Sequence, residues 1–406
     1  MMAVIARMAL WPLLLLAGVA VAGEARTPSL WERLQGDRLQ IHGFASVTGI
    51  QTSANRFLGS TRQGSVNFIE VALNASYQFN PRVLFSGQVL ARRAGSLANG
   101  SPVLDYGLVD VTLAETVERR FGVRVGRLKN PLGLYNETRD VPFTRPSIFL
   151  PQVVYFDKVR NLVLSTDGVM FYGETATGYG DFSLTLGSGQ PVVDENLEWA
   201  FLGGNYPGKF EPHGLSWVGS LWYSALHERL RLGVSGITSS LRYRPGRSGP
   251  DLPAGQTDIT YLILSAQYNA EHWTLTSEYS RLPLRWQGYG ASFPYRKTDG
   301  EGYYLQGTYR VLPTLDLVLR YEEGFTDRTD RSGRRLSAAV GGMSPPSDYF
   351  AKIWTFGVRW DLDPHVMLSA EYERHQGTYT TSYRENGAAA LVRDWDLFAL
   401  QIAVRF

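Results

Sequence analysis

Residues 65–79 read SVNFIEVALNASYQF, and their spacing carries the fold. Ile69, Val71, Leu73, Ala75, Tyr77 and Phe79 are apolar, while Glu70, Ala72, Asn74, Ser76 and Gln78 lie between them. A strand turns successive side chains to opposite faces, so this segment has one apolar and one mainly polar face. Asn80-Pro81 then marks a turn. Val83, Phe85, Val89 and Ala91 resume the alternation against Ser86, Gln88 and Arg92. The same period runs through Val109–Leu113, Phe121–Val125, 215–223, 273–279, 303–309, 315–321, 354–360, 366–372 and finally 398–406. Weaker segments at 41–51, 169–175, 182–186, 230–236 and 260–268 bring the total to about sixteen strands, each long enough to cross a bilayer when tilted.

The connections predict how the strands are joined. Short ones carry turn chemistry at Asn80-Pro81, Tyr179-Gly180, Asn269-Ala270, Pro313 and 361–364. Long ones are expected at 54–63, 94–101, 130–167, 187–213, 243–257, 282–299, 324–350 and 376–392. This alternation points to an all-β fold, a transmembrane antiparallel up-and-down β-barrel with long extracellular loops and short periplasmic turns. Tyr77, Phe79, Phe121, Trp273, Tyr309 and Trp360 share the apolar parity and lie beside short turns, as a periplasmic aromatic girdle does. The core of a soluble sandwich would hold such rings at mid-strand instead.

Before the strands, Arg7 precedes an apolar run over 8–22 that ends in Ala20-Val21-Ala22. This reads as a cleaved signal peptide over 1–22, followed by a short periplasmic segment over 23–38 and a barrel over 39–406. Pro12 interrupts the run, which is short for a span of about 20 residues. The chain has no cysteine, which excludes disulfides and thiolate metal sites. A formal charge of +2 over 406 residues gives no electrostatic case for nucleic acid.

The lumen parity is rich in charge: Arg92, Arg124, Arg231, Arg310, Arg320, Arg359 and Arg405 alternate into the same face as Glu70, Asp110, Glu174, Glu278, Glu322, Glu371 and Glu373. Ionised groups are tolerated there only where the interior is wet or the charges are paired. Two arrangements satisfy this. One is an open channel; the other is a lattice of ion pairs, for example Arg320, Glu322, Arg359 and Glu371 on adjacent strands. A barrel of about sixteen strands is generally too wide to fill with wall side chains, which favours the channel. The long 130–167 segment, with Pro142, Pro146 and Pro151, has too many apolar residues for disorder. It is expected to fold inward as a constriction, with Phe149 and Phe156 against the wall and Arg145, Lys158 and Arg160 on a water path.

No histidine falls beside a serine and a carboxylate in a catalytic arrangement. GxxxxGK at 203–209 is followed by Phe210 rather than Ser or Thr, so it is no phosphate loop. The sequence thus predicts no enzyme, no metal and no cofactor.

Phe406 ends a strand with apolar residues at 398, 400, 402 and 404, which looks like the terminal signature of outer-membrane proteins. Gly126-Arg127-Leu128-Lys129-Asn130-Pro131-Leu132-Gly133-Leu134-Tyr135 resembles the junction into the third loop of sixteen-stranded Gram-negative porins related to the phosphate-selective group. Phe356–Asp361, with Ala370-Glu371-Tyr372 and Gly377, is similar to their late hairpins. The resemblance implies that the barrel-assembly machinery reads Phe406, and that the protein is a homotrimer in a lipid bilayer with lipopolysaccharide. It also implies passive diffusion of small hydrophilic solutes or ions. Phosphate-selective members carry third-loop lysines and an arginine ladder, whereas here the loop has Lys129 at its edge and Lys158 inside. The resemblance therefore names no solute. The expected pore-lining set is Arg124, Arg139, Arg145, Lys158, Arg160, Arg310, Arg320, Arg359, Asp110, Glu322 and Glu371, giving a weak anion preference. The alternative is a barrel with a closed lumen that serves as a receptor, adhesin or structural protein.

Overall fold

A computed structural model describes residues 38–204, 206–246, 252–291, 293, 295–387 and 391–406. The expected signal peptide, and all but the last residue of the segment over 23–38, lie outside these residues. Seventeen strand segments follow in order: β1 (Leu39–Thr52), β2 (Ser65–Asn80), β3 (Val83–Ala94), β4 (Ala98–Glu115), β5 (Arg119–Lys129), β6 (Ser165–Thr177), β7 (Gly180–Pro191), β8 (Gly208–Pro212), β9 (Ser216–Ala225), β10 (Leu230–Pro245), β11 (Gln256–Asn269), β12 (Trp273–Gln287), β13 (Lys297–Leu312), β14 (Leu315–Phe325), β15 (Phe350–Asp361), β16 (Val366–Gly377) and β17 (Asp394–Arg405). Both β8 and β9 pair with β10, which makes them halves of one stave and leaves sixteen staves in all. Pro212 ends the first half, and Gly214, at φ +78°, bends the chain into the second. β1 pairs with β17 from Phe44↔Arg405 to Thr52↔Leu397, so the antiparallel sheet closes on itself.

The parity read from the sequence is the one the walls use. Val71, Leu73, Tyr77 and Phe79 point outward and are exposed, whereas Glu70 and Ala72 are buried inside. The expected periplasmic girdle, from Tyr77 to Trp360, also faces outward. No helix among the described residues is long and apolar enough to cross a membrane; the staves supply the apolar band. This orientation has a measurable consequence. Leu317→Arg or Val358→Arg, both on the outward face, is expected to cost about 2–4 kcal/mol in unfolding from vesicles, whereas Arg at lumen-facing Thr308 is nearly neutral. Equal losses at all three positions would contradict the orientation.

One expected long loop is absent. Residues 94–101 shrink to a three-residue connection, because pairing continues through Ala94↔Ala98 and Arg93↔Asn99. The Gly-Ser-Asn content there suggests an extended loop, but Gly95, at φ +55°, closes a tight hairpin instead. The largest connection, loop 3, runs over 130–164 before β6 begins, and it lies inside the barrel. It ends in the short helix α1 (Arg160–Leu164), and loop 4 contributes α2 (Asn196–Leu202). Apolar residues of both loops, among them Val153, Val154, Phe156, Leu162, Leu197 and Leu202, form one buried cluster with inward wall residues such as Ile237, Tyr261, Ile263 and Ile353. The core of this protein is therefore in the lumen.

Candidate channel constriction

Loop 3 is pinned where it enters and leaves the wall. Asn130 Nδ2 donates to the Val163 carbonyl (3.0 Å), Asn136 Nδ2 to the Asn130 carbonyl (2.9 Å), and Thr166 Oγ1 to Asn130 Oδ1 (2.8 Å). From that neck it docks across the lumen on staves β10 to β16. Charged wall groups there satisfy loop backbone that would otherwise be buried without partners. Glu278 accepts from Leu134 N (2.9 Å) and the Tyr155 hydroxyl (2.5 Å). Glu322 accepts from Val153 N (3.2 Å), and Glu371 from Phe149 N (3.1 Å). Arg320 Nη1 donates to Ser147 Oγ (2.9 Å) and to the Phe149 carbonyl (3.2 Å). Arg359 Nη1 donates to the Phe143 carbonyl (3.0 Å). Phe149 stacks on Phe68 and meets Phe57 edge-on, and Phe156 packs against Tyr379.

Three expected pore-lining residues are thereby reassigned. Arg320, Glu322 and Glu371 are covered completely by the loop and touch no water path. Arg320 is the single guanidinium among three buried carboxylates, with Glu322 at 3.0 Å, Glu373 at 3.4 Å and Glu371 at 3.6 Å. The expected lattice of Arg320, Glu322 and Glu371 exists, but it anchors loop 3; Arg359 pairs instead with Asp361 (3.1 Å). Arg310 is also displaced. It is exposed near the short turn after β13, with Asp316 at 3.6 Å, away from the constriction.

The opposite side of loop 3 is polar and faces β2 to β5. Arg145 pairs with Glu70 (2.7 Å), and Arg92 pairs with Asp157 (2.9 Å) and Glu70 (3.4 Å). Arg139 donates to the Tyr155 carbonyl (3.0 Å), and Lys129 bridges Asp105 (2.7 Å) and Asp140 (2.5 Å). Arg160 pairs with Asp140, and burial beside Arg92 and Arg139 pushes its pKa down to about 9. These groups surround a cleft of about 20 Å³, lined by Glu70, Arg92, Arg139, Asp140, Arg145 and Arg160 among others. Asp140 also borders a larger cavity of about 310 Å³ that includes Asn74, Gln88, Tyr106, Arg124 and Glu137 in its wall. Arg124 is held there by Asp110 (3.0 Å), which also accepts from the Tyr172 hydroxyl (2.8 Å).

Arg139, Arg145 and Arg160 thus border the cleft, each paired with an acid of the loop or the wall. Lys158 does not border it. Its ammonium donates to the Tyr379 carbonyl and lies 4.5 Å over that ring, and burial pushes it down to about 8. Two acidic groups were missed in the sequence. Asp105 holds Lys129, and Glu385 in loop 8, the connection between β16 and β17, accepts from Leu58 N (2.7 Å), where burial raises its carboxyl to about 7. Glu385 lies in a loop without a periodic signal, and Asp105 lies on β4 where the register with β3 shifts.

No family model and no curated protein sequence matches the chain. Solved structures do match in shape. OmpT of Vibrio cholerae, an outer-membrane protein, superposes with a TM-score of 0.56 at 14% identity, over 92% of this chain and 99% of that one. An anion-selective porin from Comamonas acidovorans gives 0.55 at 12%, over 91% and 99%. The outer-membrane channel DcaP of Acinetobacter baumannii gives 0.55 at 10%, over 91% and 97%. The chain has the porin fold. At these identities the likeness is one of architecture: sixteen staves closed into a barrel of the kind that crosses an outer membrane.

Proposed function

We propose that the protein is an outer-membrane channel through which small hydrophilic solutes diffuse passively, with a modest preference for anions. The observation that carries this is the cleft between loop 3 and the wall. Four arginines, Arg92, Arg139, Arg145 and Arg160, stand around it with three acids, Glu70, Asp140 and Asp157. In a narrow passage with low-dielectric walls, even a small excess of one sign focuses the field. Export by the expected signal peptide and assembly through Phe406 belong to the same reading. Phe406 exchanges backbone hydrogen bonds with Gly43 of the first strand (3.0 and 3.3 Å), where the barrel closes. A trimer surrounded by lipopolysaccharide rests on the resemblance.

Reversal potentials of the purified protein across a KCl gradient test the proposal. The expected result is a preference for chloride that weakens as salt rises, since screening reaches about 10 Å at 0.1 M. Arg139→Gln should reduce the preference, and a clear cation preference would refute it. A second reading, a closed barrel acting as receptor, adhesin or structural protein, draws support from the buried apolar cluster and the small size of the cleft. Bilayers that stay silent with folded protein would favour it.

A further inference from the structure

We propose that the arm of loop 8 over 378–387 is a strap across the long-loop mouth of the barrel, latched by Tyr383, Arg384, Glu385 and Asn386 and able to lift. These four consecutive residues form one short turn of helix, and between them they reach three other loops. The Tyr383 hydroxyl donates to Asp348 Oδ2 in loop 7, between β14 and β15 (2.6 Å). Arg384 Nη1 donates to Asn196 Oδ1 of loop 4 (2.6 Å), and its other arm pairs with Glu195. Glu385 accepts from Leu58 N in loop 1, between β1 and β2 (2.7 Å). Asn386 exchanges two hydrogen bonds with the Arg56 backbone (2.9 and 3.1 Å).

The rim is shaped to receive this latch. A Cβ on Gly95 would lie 1.9 Å from Glu385 Oε1, so the tight hairpin between β3 and β4 makes room for the carboxylate by carrying no side chain. Leu58, which donates to it, sits at φ +53°, a left-handed conformation that costs an L-residue energy. Little else keeps the strap down. None of residues 380–387 belongs to an apolar cluster, so polar contacts hold them. Segments with few buried apolar contacts open at low free energy. The foot of the strap covers loop 3, where Lys158 donates to the Tyr379 carbonyl and lies over its ring. Lifting it uncovers that ammonium.

The closed strap keeps two ionisable groups of opposite sign dry, which makes it sensitive to pH in both directions. Burial raises the Glu385 carboxyl from its ordinary 4.5 to about 7, so closure takes up a proton and gains stability as pH falls below about 7. Burial lowers Lys158 from its ordinary 10.5 to about 8, so closure releases a proton and gains stability as pH rises above about 8. Between these values both groups are charged when covered, and the strap is weakest. The charged neighbours are engaged elsewhere. Glu385 faces Arg92 of β3, which is paired with Glu70 and Asp157, while Arg56 of loop 1 donates to the Glu385 backbone carbonyl. The hairpin at Gly95, Ser96 and Leu97 brings no titratable group. Lys158 faces Asp348 of loop 7, which already accepts from Thr378 and Tyr383, and Asp157 beside it is paired with Arg92 and Arg139.

The inference rests on the channel reading given above, and two readouts separate them. The chain has no cysteine, so Arg56→Cys with Asn386→Cys places a single pair across the latch. Oxidation of that pair is expected to slow hydrogen exchange over 55–61 about tenfold, because local opening is blocked. It should also lower conductance in KCl several-fold in planar bilayers, and reduction should reverse both effects. Exchange reads the strap whether or not the protein conducts, so bilayers silent in every state would refute the channel reading alone. From about pH 5 to about pH 10, wild-type conductance should peak between about 7 and 8. Glu385→Gln should remove the fall on the acid side and Lys158→Met the fall on the alkaline side, with heat-modifiability confirming that each variant is folded. Three results would overturn the proposal: exchange that is equal in the oxidised and reduced pair, conductance that ignores the disulfide, or a profile that keeps both falls in both variants.

Discussion

A short Gly-Ser linker in place of residues 139–160 is expected to raise single-channel conductance several-fold while leaving the barrel folded. The walls do not depend on that segment for their backbone hydrogen bonds, because every stave is paired on both sides in a closed sheet. What the segment fills is space that a barrel of about sixteen strands cannot fill with wall side chains alone. Its removal takes away Arg139, Arg145, Asp157 and Arg160 together, and so abolishes the cleft. Anion preference should fall in the same experiment, since the narrow basic passage is gone. Planar-bilayer recordings read both effects. A linker variant that folds and conducts like wild type would show that loop 3 is not the constriction.

The second large effect is energetic. Arg320→Ala leaves Glu322, Glu371 and Glu373 buried together without their guanidinium. Breaking a buried ionic cluster by removing one partner costs about 3–5 kcal/mol, because the charges left behind are uncompensated. The loss should appear as a lower denaturant midpoint with an unchanged slope. Glu371→Gln makes the contrast. It removes one of three crowded negative charges, and its side chain can still accept from Phe149 N, so a much smaller change is expected. Equal losses in the two variants would mean that the cluster acts through shape rather than charge.

The walls were legible because lipid and lumen impose opposite chemistry on alternate residues. Leu317 and Arg320 differ in parity, and parity alone assigns each to its side. Asp105 escaped because the β3–β4 pairing shifts register between Gln88 and Val89 and again between Ala91 and Arg93. Alternation along the facing stretch of β4 is scrambled by those bulges. Inward parity also cannot say what covers a residue. Arg124, on a cavity wall, and Arg320, sealed beneath loop 3, have the same local pattern. What separates them is a loop nearly two hundred positions away from Arg320 in sequence, with Ser147 donated to across 173 residues. The apolar content of 130–167 announced an inward fold, and Phe149 and Phe156 do pack inside. Lys158 was misplaced because its partner, Tyr379, comes from loop 8, which has no periodic pattern.

The anchoring of loop 3 also sets a chronology for assembly. Phe149 bonds to Glu371 across 222 residues and Val153 to Glu322 across 169. Loop 3 cannot reach its seat until strands far along the sequence have joined the wall. Nearest-neighbour hairpins need only short loop closures, whereas this docking waits on the last quarter of the chain. The gap between β1 and β17 seals at the same end of the sequence. Loop docking and seam closure therefore both depend on the C-terminal strands. The final four strands thus carry two tasks at once: they complete the wall on which loop 3 sits and they close the cylinder against β1.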